Sequence, residues 1–181
     1  MRGLGDVVGL DNSSLYRHFA SKAQLAHAAL DQVSEAFLVA IQDQVAPSHQ
    51  VSMARLEALA ATAGSHFFDR PAAARLIVHW LMSVGEGGPG FGVSIPATDA
   101  ARPGGKILKL LGEWLAEGVG RGAIRKHAVP DAIVILLGAI LLRPATYSHL
   151  LASMEPNRSH AAARAAWEIE LRAVVRGAFA P

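Results

Sequence analysis

Apolar positions recur at helical spacing along most of the chain, and no stretch alternates apolar and polar residues long enough to make a strand. Ser21 and Gln24 form a capping-box pattern that starts a helix at Lys22. Leu25, Ala29, Val33, Phe37 and Ile41 follow down one stripe, and this helix is expected to reach Val45, just ahead of Pro47. A second helix is predicted over residues 51–68, with Met53, Leu56, Leu59, Ala60, Ala63 and Phe67 inward and Asp69-Arg70-Pro71 closing it. A third, over 72–84, carries Leu76, Ile77, Trp80 and Leu81. Residues 85–105 read as a loop, because Gly87-Gly88-Pro89-Gly90 and Pro103-Gly104-Gly105 resist regular structure. Long loops in compact domains tend to be functional, which places this one at a pocket entrance.

Residues 106–120 return to the helical pattern, with Ile107, Leu110, Leu111, Trp114, Leu115 and Val119 inward. The helix predicted over 130–153 is apolar almost all round in its first half, which implies burial on more than one side, and Pro144 is expected to kink it. The last helix, 157–179, sets Trp167, Leu171, Val174, Val175 and Ala178 against a solvated row of Arg164, Glu168, Arg172 and Arg176. Glu168 is spaced to pair with Arg172. The fold class is therefore all-α.

Composition narrows the function. There is no cysteine, so disulfides and thiolate zinc sites are excluded. The N-terminus lacks the apolar core of a signal peptide. The longest uncharged apolar run, residues 132–142, is bracketed by Asp131 and Arg143 and falls short of the ~20 residues that span a bilayer, so a soluble, cytoplasmic protein is expected. No Gly-rich phosphate loop, Gly-x-Ser-x-Gly or His-Glu-x-x-His is present, and the carboxylates fall mostly on solvated rows. The expectation is a non-enzyme with no cofactor and no metal. Lys106, Lys109, Arg121, Arg125 and Lys126 outweigh Glu113 and Glu117, a basic stretch read as a solvated face.

The most specific signal lies near the N-terminus. Gly9 suits the end of a helix, and Asp11 can cap the next one. Asn12, Ser13 and Ser14 then occupy its exposed first turn, Leu15 and Phe19 share an anchoring face, and Tyr16, Arg17 and His18 lie on the flanks as donors. A helix held from one side with small polar residues at its tip fits a DNA major groove. Gly9, Leu15, Tyr16, His18, Phe19, Ser21, Lys22 and Leu25 fall in register with the recognition helix of the TetR family of bacterial transcriptional repressors, which this segment resembles. Leu10 stands where that family has Val, and Asp11 where it has Ser or Thr.

The resemblance implies a domain over 1–45, a partial helix-turn-helix with a connecting helix, and a ligand-binding and dimerisation domain over 46–181. Gly118, Gly122, Arg125, Pro130 and Asp131 resemble the family's turn into its dimer helices. It implies phosphate contacts from Tyr16, His18 and Lys22 and base contacts from Asn12, Ser13, Ser14 and Arg17. The partners implied are a palindromic operator, a small apolar effector that releases it, and a second copy of the chain. The first helix of the family's DNA-binding unit has no counterpart before Gly9, and residues 1–30 set three cations against two anions for a net of +1, so DNA binding by this exact chain is expected to be impaired. The alternative is a dimeric helical ligand-binding or interaction module that does not bind DNA in this form. His66, Phe67, His79, Trp80, Met82, Trp114 and Tyr147 are candidates to line the effector cavity, against the plainer reading of core packing.

Overall fold

The first helix, α1 (Lys22–Ile41), starts where the capping box places it: Ser21 Oγ accepts from the Gln24 N–H at 3.1 Å, and the Gln24 side chain accepts from the Ala20 N–H at 2.9 Å. A computed structural model of the protein describes residues 19–46, 50–83, 101–147, 151–154 and 157–181. The DNA-contact candidates Asn12, Ser13, Ser14, Tyr16, Arg17 and His18 lie outside the described residues, as does most of the predicted loop. After α1 come α2 (Met53–Phe68), α3 (Pro71–Ser83), α4 (Pro103–Gly120), α5 (Val129–Tyr147), the single turn α6 (Leu151–Met154) and α7 (His160–Phe179). The described residues are helical throughout, joined by turns, with no strand among them.

The predicted stripe of α1 drifts. Four residues overshoot one helical turn by about 40°, so a strict four-residue repeat winds off any one face. Phe37 and Ile41 are buried, whereas Leu25, Ala29 and Val33 are only half-buried and Ala26 and Leu30 take the inner positions. The helix α4 begins three residues earlier than its pattern predicts, at Pro103. Proline fits the first helical position because its missing N–H would have no partner there, so Pro103-Gly104-Gly105 is a helix start and not a loop. Arg102, just outside, donates through Nε to Asp31 Oδ1 of α1 at 3.1 Å.

The exit from α4 explains two of its glycines. Gly122 has φ +66°, and its N–H donates to the Val119 carbonyl at 3.0 Å while the Ala123 N–H reaches Gly118 O at 2.9 Å. This left-handed cap satisfies carbonyls that the helix end leaves free. Gly118 is needed for a different reason: a Cβ there would lie 2.7 Å from Val51 Cγ1 and 3.1 Å from Ile124. The turn then clamps the far end of α7, with the Arg125 N–H donating to Phe179 O at 2.7 Å and His127 Nε2 lying 3.0 Å from Ala178 O.

One continuous core joins α1, α2, α4, α5 and α7, including Phe37, Phe67, Leu115, Leu136, Ile140, Leu171 and Phe179. The central helix is α5, which packs on α2, α3, α4 and α7. Val129–Thr146 within it is long and apolar enough to cross a membrane by length and composition, a longer window than the uncharged run in the sequence indicates. Within this fold Ala132, Leu136, Leu137, Ile140 and Leu141 face the core, but Val134, Ile135 and Leu142 are exposed. The helix thus has neighbours on several sides, while Val134, Ile135 and Leu142 remain as an exposed strip among the described residues.

The helix α7 lies against α2 in a close seam. Arg176 pairs with Glu57 through two hydrogen bonds of 2.7 and 2.9 Å, and Arg164 Nη1 reaches Asp69 at 2.8 Å. Glu168 pairs with Arg164, at 3.3 Å, and accepts from the Ser65 hydroxyl; it does not pair with Arg172 as its spacing predicts. Arg164 sits one turn earlier on the side facing α2, which draws Glu168 toward Ser65. Val174, predicted inward, is exposed, because the buried line runs through Ala163, Trp167, Leu171, Val175 and Phe179.

Candidate ligand-binding groove

A groove of about 950 Å³ runs between α3, α4 and α5. That is at the upper end of the roughly 300–1,000 Å³ usual for small-molecule sites. Leu137 and Leu141 form its buried floor, while Met82, Val134 and Leu142 (78, 69 and 61 % exposed) stand at its rim. Val78, Leu81, Leu108 and Ile133 fill in the walls. Gly105, Gly112 and Gly138 also line it, and at Gly112 and Gly138 a side chain would have room to project. Among the described residues that line it, none is aromatic, and the charged ones are Lys109 and Glu113. These two are exposed and 3.9 Å apart, a loose pair on successive turns of α4.

Of the six predicted cavity residues whose side chains are described, Met82 lines this groove. Trp80 and Phe67 lie behind its floor around a small void of about 30 Å³, whose lining shares Leu81, Leu108, Leu137 and Leu141 with the groove. Trp114 is buried in the core, with an indole N–H that finds no acceptor among the described residues. His79 is exposed on α3. Tyr147 closes α5, and its side chain is outside the described residues; Lys22 opens α1, and the same holds for its side chain.

His66 belongs to a separate polar cleft of about 420 Å³ between α1, α2 and α7, with Ser65, Asp69, Arg164, Glu168 and Arg172. Its ring packs edge-on against Phe67 at 5.1 Å and lies 5.8 Å from Phe37. Burial lowers its pKa below the usual imidazole value; the nearby Arg70 charge adds to this and Asp69 opposes it. Nε2 is buried with no hydrogen-bond partner among the described residues, which the neutral ring tolerates better than the charged one. No group of three His, Cys, Asp or Glu side chains is arranged to hold a metal among the described residues.

The described members of the polar-aromatic set are not gathered around this groove, because large aromatic side chains in a small helical domain fill space between helices. The groove is made instead by aliphatic residues and glycines, types that a search for chemistry passes over. The signal present in the sequence is Gly138 inside the apolar first half of α5, a missing side chain on a helix that otherwise projects large ones. No family model, curated protein or solved structure matches the chain.

Proposed function

We propose that the protein is a ligand-responsive DNA-binding transcriptional regulator of the TetR type, a repressor released from a palindromic operator by a small apolar molecule. The observation that carries this reading is the run Leu15-Tyr16-Arg17-His18-Phe19 with Ser21-Lys22 behind it, a pattern that combines an anchoring face with phosphate donors. The all-helical body and its apolar groove support it. Exposed Ile135 on α5 and Ile169 and Val174 on α7, none of which lines the groove, support pairing of these helices with a second copy. A two-fold interface would present two recognition helices to two half-sites, and effector binding would favour a head spacing that no longer fits them. No chemistry is done on the ligand, and the protein works in the cytoplasm.

Selection from a randomised duplex pool at low salt, which offsets the impaired affinity expected of this chain, is expected to enrich a two-fold symmetric sequence. Tyr16→Phe, His18→Ala and Lys22→Ala should each weaken binding to that sequence, and Lys22→Ala, which removes a full positive charge, should also make it less salt-dependent by up to about one unit of the log–log slope. Failure to enrich any duplex, or a monomer by sedimentation at micromolar concentration, overturns the reading.

A further inference from the structure

We propose that the groove between α3, α4 and α5 takes an aliphatic amphiphile with a carboxylate head, its chain on the Leu137–Leu141 floor and its head at Lys109. The inference deepens the effector site of the regulator reading and rests on it for its biological meaning, but its physical basis is the lining alone. A flat aromatic ligand is usually held by ring faces or edges, and this lining supplies none. Leu, Ile, Val and Met side chains grip a flexible chain by area, without demanding a shape.

The groove is also long. Its lining on α5 extends from Val129 to Leu142, about 20 Å at the helical rise. Glycine keeps this trough open. A Cβ at Gly138 would meet nothing within 4 Å among the described residues, and one at Gly112 would make only ordinary contacts, 3.6 Å to Val129 and 3.7 Å to Ile133. The backbone therefore does not require glycine at either place for close packing, and their effect is to leave room.

Charge selects the head. Lys109 is the cation in the lining, and its link to Glu113 is long and solvated, so an incoming carboxylate competes for it at small cost. Lys106 is exposed one turn earlier on α4 and raises the local positive potential. A cationic head would have to sit among these ammonium groups with Glu113 as its single partner in the lining.

The test is calorimetry on the full 181-residue chain with octanoate, decanoate, dodecanoate, decan-1-ol and 2-naphthoate. Affinity is expected to rise about fourfold per added methylene, as burial of each CH₂ group predicts. Decanoate should bind about fivefold more tightly than decan-1-ol, at the upper end of the scale for a solvent-exposed ion pair. Lys109→Gln should abolish that difference and leave decan-1-ol unaffected. Gly138→Leu should cut dodecanoate affinity tenfold or more, with a melting temperature no lower than the parent's, which separates a filled groove from a damaged fold. An affinity that ignores chain length, 2-naphthoate binding as tightly as decanoate, or an indifferent Gly138→Leu overturns the proposal. So does a dimer that Gly138→Leu dissociates while no fatty acid binds, since the groove then holds a second copy. A chain that binds decanoate but enriches no duplex loses the regulator reading and keeps this one; the reverse result removes this one alone.

Discussion

The α2–α7 seam and the α3–α4–α5 groove are built from the same kinds of residue and come out opposite. In the seam, a Cβ on Gly64 would fall 2.4 Å from Leu171 Cδ2 and 3.3 Å from Trp167 Nε1, so glycine is there because two helices press together. In the groove, Gly138 leaves a space that nothing among the described residues fills. The seam is also bordered by bonds that fix its register: Glu57 to Arg176, Asp69 to Arg164, and Ser65 to Glu168. Along the groove the matching feature is the loose Lys109–Glu113 pair, which lies within a single helix and ties nothing to its neighbours. A glycine in an apolar helix thus has two uses, and only the distance across from it tells them apart. One region uses its apolar surface for stability, and the other keeps it open for a guest.

The sharpest way to break the comparison is at Leu171, fully buried in the seam. Leu171→Ala is expected to cost about 2–5 kcal/mol, the transfer term plus a cavity between rigid helices that are held in register and cannot close over it. Denaturant unfolding measures this. A cost below about 1 kcal/mol would mean that the seam collapses freely and is no tighter than the groove. Next is Gly118→Ala, expected to cost about 1–3 kcal/mol because the new methyl strikes Val51 and Ile124, both buried and β-branched. An unchanged unfolding midpoint would show that the turn after α4 shifts without loss.

The helices and their starts are legible in the sequence, and their neighbours much less so. Ser21 with Gln24 is a local signal that a local hydrogen bond answers; Ser52, which the predicted span over 51–68 takes inside the helix, is its cap instead, with Oγ accepting from the Arg55 N–H at 3.3 Å. Leu56, Leu59, Ala60, Ala63 and Phe67 lie inward as their spacing predicts. The start of α4 is misplaced by a reading in which glycine content outweighs the fitness of Pro103 for a first helical turn. The partner of Glu168 is missed because spacing along one helix is blind to Ser65 on another. The cavity is the least legible. Its walls are the ordinary aliphatic residues of α3, α4 and α5, and whether Leu137 faces a neighbour or a hollow depends on how far apart three helices stand. That distance is a tertiary quantity with no periodic signature.

Gly138→Ala sharpens the comparison from the groove side with a change of opposite sign. It should stabilise the protein by up to about 1 kcal/mol, because alanine favours the helix and its methyl meets no atom within 4 Å. The equivalent change at Gly64 gains the same helix propensity but must displace Leu171, so the ordering Gly138→Ala above Gly64→Ala in melting temperature is the test. If both destabilise alike, the groove is as closely packed as the seam and the space assigned to a ligand is filled by something else.

The smallest effect is at the edge of the seam, where His66 joins the buried Phe37 and Phe67 to the polar cleft. Its pKa is lowered in the folded protein, chiefly by burial, from the ordinary 6.5. Between the lowered value and 6.5 the unfolded chain therefore binds more protons than the folded one, so stability rises with pH through that window. The contribution is complete above the unfolded pKa and is lost as pH falls toward the folded one. Replacing His66 by Leu removes the titrating group and should flatten this part of the acid limb in a melting-temperature profile. The Glu57–Arg176 pair supplies a lower window: its hydrogen bonds hold the Glu57 carboxyl below the usual 4.5, so its stabilisation is complete above 4.5 and lost at more acid pH. The two can thus be separated by pH alone. A His66→Leu profile with an undiminished slope just below neutrality would place that slope in other groups. It would also mean that the ring's unpartnered nitrogen is relieved by water in the cleft, making the polar end of the seam more open than its packing against Phe67 implies.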